Sequence, residues 1–100
     1  MTSTPLKTQT GEFATEHASK YLQQLCKHFA HRVTVDYDAA QGLAQLGSGP
    51  ARMSALPDLL RVEISGADDA ALERARDVID SHLARFAFRE DFTAMNWQPA

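Results

Sequence analysis

The stretch that decides the fold is LRVEISGADDAALERARDVIDSHLARFA, residues 60–87. Apolar Leu60, Val62 and Ile64 alternate with charged side chains at its start, which is the period of a half-buried strand. Asp68 then stands at an N-cap position, and helical spacing follows to the end of the stretch. The apolar arc of this helix consists of Ala71, Leu72, Ala75, Val78, Ile79, His82, Leu83 and Phe86.

The same two patterns recur upstream. A helix is predicted over residues 17–30, with Thr15 as its N-cap and a short strand at residues 12–15 before it. Its apolar stripe comprises Ala18, Tyr21, Leu22, Leu25 and Phe29. Alternation over residues 33–37 predicts a strand, and residues 43–46 are expected to pair with it as the second arm of a hairpin. A further strand is predicted over residues 51–55.

This order of elements predicts a two-layer α+β domain. We expect an antiparallel sheet of four or five strands with two helices on one face, a shape like that of TATA-box-binding-protein-like domains; this analogy concerns shape alone. Residues 1–10 are predicted to be a flexible N-terminal tail and residues 11–100 a single α+β domain. Phe92 through Trp97 are expected to form a last strand or an extended tail that covers a sheet edge.

Composition excludes several classes of protein. Ten Lys and Arg against thirteen Asp and Glu give a net charge of −3, and the basic residues are scattered, which argues against nucleic-acid binding. No apolar stretch approaches the roughly 20 residues that span a bilayer. Cys26 is the single cysteine, so no internal disulfide can form. We therefore expect a cytoplasmic protein.

Histidines are the first candidate ligands. His28 and His31 lie on one flank of the first helix, and with His82 from the second helix they would supply three imidazoles, enough for zinc or iron. In the alternative interpretation, His28 and His31 are a solvated helix end and His82 is a packed histidine with one hydrogen bond. The sequence leaves both interpretations open.

Two arginines near the end of the chain form a second candidate site. If the last segment folds back, Arg85 and Arg89 beside Phe86 and Trp97 would bind an anion, although plain packing explains the same residues. We expect His82 to hydrogen-bond Tyr21 or a backbone carbonyl of the first helix. The two arginines are expected to hold the final segment near Glu90, Asp91 or the chain terminus, and Cys26 to be a buried small hydrophobe.

Two blocks of sequence resemble a known family. Tyr21-Leu22-x-Gln24-Leu25-Cys26-Lys27-His28-Phe29-x-His31-Arg32, together with His82-Leu83-x-Arg85-Phe86-Ala87-x-Arg89-Glu90 and Trp97, resembles the bacterial domain-of-unknown-function family 2218 (DUF2218). The resemblance implies a small protein that stands alone or is fused to siderophore-interacting, flavin-dependent ferric reductases. It singles out His28, His31, His82, Arg85, Phe86 and Arg89 as the positions of interest.

The functional expectation follows from these points. No catalytic motif is present, so we expect a small non-enzymatic accessory or binding module with no cofactor, linked by the resemblance to iron or siderophore handling. The alternative is a small metal-dependent enzyme or metal carrier that uses the histidine cluster to hold zinc or iron. A homodimer is expected, formed either by edge pairing of the hairpin at residues 33–46 or by exchange of the C-terminal segment. The resemblance implies a ferric-siderophore reductase as partner.

Overall fold

The computed structural model describes residues 7–90, 92 and 94–99. The chain folds as an α+β protein with two helices and an antiparallel sheet. The elements are β1 Lys7–Ala14, α1 Ala18–Phe29, β2 Val35–Tyr37, β3 Gln41–Leu46, β4 Gly49–Leu56, β5 Leu59–Gly66, α2 Asp69–Phe86, a short 3-10 helix Phe88–Glu90, and β6 Asn96–Pro99.

The sheet has six strands in the order β2-β3-β4-β5-β1-β6, so the prediction of four or five strands was wrong. β1 fits between β5 and β6, with Phe13 opposite Leu60 on one side and Gly11 opposite Trp97 on the other. The last strand, β6, lies along the edge of β1 at Asn96–Pro99. Of the predicted edge segment at residues 92–97, only Asn96 and Trp97 belong to this strand.

The predicted flexible tail was wrong for its second half. Lys7 to Thr10 form the first half of β1 and pair with β5 from Gly66 to Glu63. These residues are polar, so they lack the apolar alternation by which a strand is recognised in sequence. Their order comes from the ladder with β5, which the sequence of β1 alone does not encode. The rest of that predicted tail lies outside the described residues.

One hydrophobic core joins the sheet to both helices. The strand pattern predicted at β5 is confirmed, because Leu60, Val62 and Ile64 are fully buried while Arg61 and Glu63 are exposed. The predicted stripe of α1 is buried as well, and α2 contributes a matching set. The helical members of this core are Ala18, Tyr21, Leu22, Leu25, Cys26, Phe29, Leu72, Ala75, Ile79 and Leu83.

Of the two predicted N-cap residues, one is correct and one is wrong. Asp68 caps α2 as predicted, since its carboxylate accepts a hydrogen bond from the Ala71 N–H at 2.8 Å. Thr15 is not the N-cap of α1, because the helix begins later and His17 occupies that position. The Thr15 hydroxyl instead accepts a hydrogen bond from the His17 N–H at 3.0 Å.

The two helices lie side by side and run in opposite directions. The end of α1 meets the C-terminal half of α2, where the rings of Phe29 and His82 are 5.3 Å apart. The start of α1 meets the segment after α2, where Tyr21 donates a hydrogen bond to Glu90. The helix pair therefore has two distinct ends. No helix among the described residues has the length and apolar character needed to cross a membrane.

Candidate functional site

A cleft of about 570 Å³ opens where α1 ends against α2. Its walls come from the last residues of α1 and the turn after it, from the C-terminal half of α2 and from the β3–β4 turn. The lining residues are His28, Phe29, His31, Arg32, Val33, Leu46, Gly47, Val78, His82 and Arg85, and we call this site the basic cleft.

Two histidines meet in the basic cleft. The rings of His28 and His82 have their centroids 4.5 Å apart, although 54 residues separate them in sequence (82 minus 28). The Nδ1 atom of His82 lies 2.6 Å from the Val78 carbonyl oxygen. Because a carbonyl oxygen only accepts, His82 Nδ1 carries the hydrogen, and in the neutral ring the Nε2 lone pair stays available.

That hydrogen bond corrects one prediction and supports part of another. His82 was predicted to bond Tyr21 or a carbonyl of the first helix, but its carbonyl partner lies one turn earlier in its own helix. Its ring does reach the first helix, where it packs against His28 and Phe29. The ring position is therefore as expected, and the hydrogen-bond partner is not.

The charge in the basic cleft is of one sign. Three histidines and two arginines line it, and none of the ten lining residues is Asp or Glu. Desolvation lowers the pKa of His28, and the charges of His82 and Arg85 lower it further. His28 is consequently more often neutral at pH 7 than a free histidine, because its surroundings disfavour another positive charge.

The predicted ligands are only partly brought together. His28, His31 and His82 line the same cleft, yet no group of three His, Cys, Asp or Glu side chains within residues 7–90, 92 and 94–99 is arranged to hold a metal ion. The arginine pair is divided. Arg85 lines the basic cleft, whereas Arg89 lies over the ring of Phe88, with its guanidinium carbon 5.7 Å from the ring centroid.

At the other end of the helix pair, polar groups satisfy one another. The Glu90 carboxylate accepts hydrogen bonds from the Thr15 hydroxyl, at 2.9 and 3.1 Å, and from the Tyr21 hydroxyl. We call these three residues the closed end. Burial, with the Glu90 hydrogen bond and charge, raises the pKa of Tyr21 to about 12. The same hydrogen bond lowers the pKa of Glu90 despite its partial burial.

A second carboxylate holds the final strand. Asp80 accepts hydrogen bonds from the Met95 N–H at 3.0 Å and from the Trp97 indole N–H at 3.0 and 3.2 Å. The Trp97 ring lies directly on Gly11, where a Cβ atom would come within 2.7 Å of it. Burial raises the pKa of Asp80, while the two hydrogen bonds oppose that rise.

Sequence reasoning missed both carboxylates. Glu90 was expected to meet arginines, and its described partners are hydroxyls. Asp80 lies outside the apolar arc predicted for α2, and no partner was predicted for it. The partners of Asp80 lie 15 and 17 residues away, on a segment without helical period, so no spacing rule connects them. Cys26 is as predicted. It is fully buried beside Met53, and burial raises the pKa of its thiol to about 11.

The chain matches one known protein family over most of its length. Residues 10–98 match the family described as "Uncharacterized protein conserved in bacteria (DUF2218)". The chain belongs to this family. The two sequence blocks that resemble DUF2218 contribute residues to both sites: His28, His82 and Arg85 to the basic cleft, and Tyr21 and Glu90 to the closed end.

A solved structure has a fold similar to that of this chain. The chain is similar to the NMR structure of PA4090 from Pseudomonas aeruginosa, with 30% sequence identity and a TM-score of 0.77. The similarity covers 94% of this chain and 97% of the other. No curated protein matches the chain.

Proposed function

We propose that the chain is a non-enzymatic binding module that takes a small amphipathic anion in the basic cleft. The observation that carries this proposal is the lining itself, in which five side chains are basic and none is acidic. A cluster of cations without neighbouring carboxylates creates a positive potential, which attracts an anionic ligand or salt anions. A ligand carboxylate would suit the planar guanidinium groups of Arg32 and Arg85.

The rest of the lining favours a ligand with an apolar body. Phe29, Val33, Leu46 and Val78 contribute aromatic and aliphatic surface beside the cations. Small-molecule sites commonly combine such apolar walls with a few charged groups that fix orientation. The arrangement also rests on the two helices lying together on one face of the sheet in two layers, which brings both helix segments to one cleft.

The link to iron handling belongs to this proposal and rests on the resemblance to proteins fused to ferric reductases. Ferric complexes of catecholate siderophores carry negative charge, so their charge is complementary to the basic cleft. We propose such a complex as the ligand and a ferric-siderophore reductase as the partner that receives it. The same anion-binding chemistry would serve another aromatic acid, so the first experiment uses a simple probe.

A metal carrier remains the second candidate, and the 4.5 Å separation of the His28 and His82 rings favours it. Two imidazoles are fewer than the protein ligands of typical zinc sites. Metal analysis of protein purified without a histidine tag tests this candidate. Stoichiometric zinc or iron that is lost in His28→Ala, His82→Ala would support it.

The proposed function is tested with a matched pair of ligands. Calorimetric titration compares 2-naphthoate with 2-naphthamide, which has the same ring system and no charge. We expect the carboxylate to bind at least about tenfold more tightly, a difference of about 1.4 kcal/mol. Arg85→Gln should remove most of that difference, and His17→Gln, an exposed histidine at the far end of α1, should leave it unchanged. Equal affinity for the two ligands would contradict the proposal.

A further inference from the structure

We infer that the basic cleft binds its anion together with a proton, which the adjoining His28 and His82 rings take up. This inference rests on the proposed function and adds to it the way in which pH regulates binding. Its basis is geometric. Two imidazoles lie 4.5 Å apart in a cleft whose other charged residues are all cations.

The hydrogen bond of His82 defines which atom takes the proton. Nδ1 is already committed to the Val78 carbonyl oxygen, so protonation of His82 occurs at Nε2. In the neutral ring Nε2 is an acceptor and cannot bond a carboxylate; after protonation it becomes a donor. Protonated His82 therefore offers an Nε2–H donor to an anion, and neutral His82 offers none.

His28 is suited to the same role. The residue is exposed and makes no hydrogen bond among those described, while its ring packs against that of His82. The groups that face the pair are His31 and Arg32 after α1 and Arg85 on α2, while Leu46 and Gly47 of the β3–β4 turn carry no charge. In the free cleft, every charged neighbour disfavours protonation of the His28 and His82 pair. A bound anion would counter that repulsion.

The free and bound states therefore differ in proton affinity. In the free protein the pKa of His28 is lowered, first by desolvation and then by the surrounding cations. An anion beside the ring reverses the effect of those cations and raises the pKa. Between the two pKa values, binding takes up a proton, and the affinity rises as the pH falls. Because the rings adjoin, double protonation is disfavoured and the uptake should not exceed about one proton.

The experiment uses 2-naphthalenesulfonate, an aromatic anion that stays ionised throughout the working range. Calorimetric titration of the full chain between pH 5.5 and 8, in two buffers of different ionisation enthalpy, gives the affinity and the number of protons exchanged. We expect a net uptake of about 0.3–1 proton near pH 6.5 and an affinity that rises about tenfold for each unit by which binding raises the pKa.

Variants identify the proton acceptor. His28→Gln removes one titrating ring from an exposed position, and His82→Asn keeps a side-chain amide that can donate to the Val78 carbonyl. The double variant should bind the sulfonate with no proton uptake and with a flat pH profile between pH 5.5 and 8. His17→Gln is the matched control, an exposed histidine at the opposite end of α1, and should retain the uptake.

The outcomes separate this inference from the proposed function. Two results would overturn the inference without contradicting the anion site. One is binding with no proton uptake in the wild-type chain. The other is proton uptake that persists both in His28→Gln and in the double variant. Absence of sulfonate binding at every pH would overturn both. Loss of uptake in His28→Gln with binding retained would support the inference even if the double variant failed to fold.

Discussion

The two ends of the helix pair contrast in how their polar groups are matched. At the closed end, one carboxylate accepts hydrogen bonds from two hydroxyls on separate elements, so the polar groups of Thr15, Tyr21 and Glu90 have partners within the chain. In the basic cleft, five basic side chains have no carboxylate among the lining residues. Matched polar groups stabilise the fold, and unmatched ones are available for a ligand. The contrast predicts that substitutions will separate stability from binding.

The largest effect is expected at Tyr21, which is 4% exposed. Tyr21→Ala removes a buried ring and leaves Glu90 without its tyrosine donor, so it should lower the free energy of unfolding by about 3–5 kcal/mol. Urea denaturation followed by circular dichroism measures this loss. At low urea, the folded fraction should still bind 2-naphthoate within about twofold of the wild-type affinity. A loss of under about 1 kcal/mol would show that the closed end is not structural.

Glu90→Gln tests the hydrogen bonds of the closed end without removing bulk. We expect a loss of about 1–2 kcal/mol at pH 7, because a neutral amide is a weaker acceptor than a carboxylate. The pKa of Glu90 is lowered in the folded state. Its contribution is therefore present above the unfolded value of 4.5 and is lost as the pH falls through the folded value.

The stability of the wild type and of Glu90→Gln should accordingly converge in acid. Unfolding free energies measured from pH 7 to pH 3 should show a difference that shrinks below pH 4.5. A difference that stays constant over this range would mean that the carboxylate charge contributes nothing to the closed end.

Arg85→Gln should weaken ligand binding and leave stability nearly unchanged, the reverse of the effects expected for Tyr21→Ala. We expect the affinity for 2-naphthoate to fall about three- to tenfold, because one cation that faces the ligand is removed. The free energy of unfolding should change by less than about 0.5 kcal/mol, since Arg85 is exposed and no described ion pair involves it. An unfolding loss above about 1 kcal/mol would place Arg85 among the structural residues.

The smallest effect is expected at an exposed ion pair outside both ends. Lys7 Nζ lies 3.0 Å from Asp69 Oδ1, and both side chains are more than half exposed. Lys7→Ala should change the free energy of unfolding by less than about 0.5 kcal/mol, because water and salt screen such pairs. A larger loss in thermal unfolding would show that charge pairing stabilises this fold regardless of burial.

Sequence patterns predicted the parts of the fold that repeat locally. The alternation at Leu60, Val62 and Ile64, the stripe of α1 and the cap at Asp68 each follow from a periodicity of a few residues, and all are confirmed. The first half of β1 and the sixth strand were missed or left open. Their strand state depends on ladders with distant partners, and polar residues such as Thr8 and Gln9 show no apolar period.

The candidate site was predicted only in part, because local spacing is visible in the sequence and contacts between distant segments are not. Helical spacing placed His28 and His31 on one flank and His82 on an inward arc, and the structure brings His28 and His82 into contact. The roles of Asp80 and Glu90 arise only when the last segment folds back on the helices. No pattern within α2 distinguishes Asp80 from its exposed neighbour Asp77.

The most direct test of the central claim, that the unmatched end binds and the matched end holds the fold, is chemical-shift mapping. ¹H–¹⁵N spectra of the chain titrated with 2-naphthoate report every backbone amide at once. We expect saturable shifts at residues 28–33, 46–47 and 78–85, with Thr15, Tyr21 and Glu90 unmoved. Shifts concentrated at the closed end, or no saturable shifts around His28, His82 and Arg85, would contradict the account.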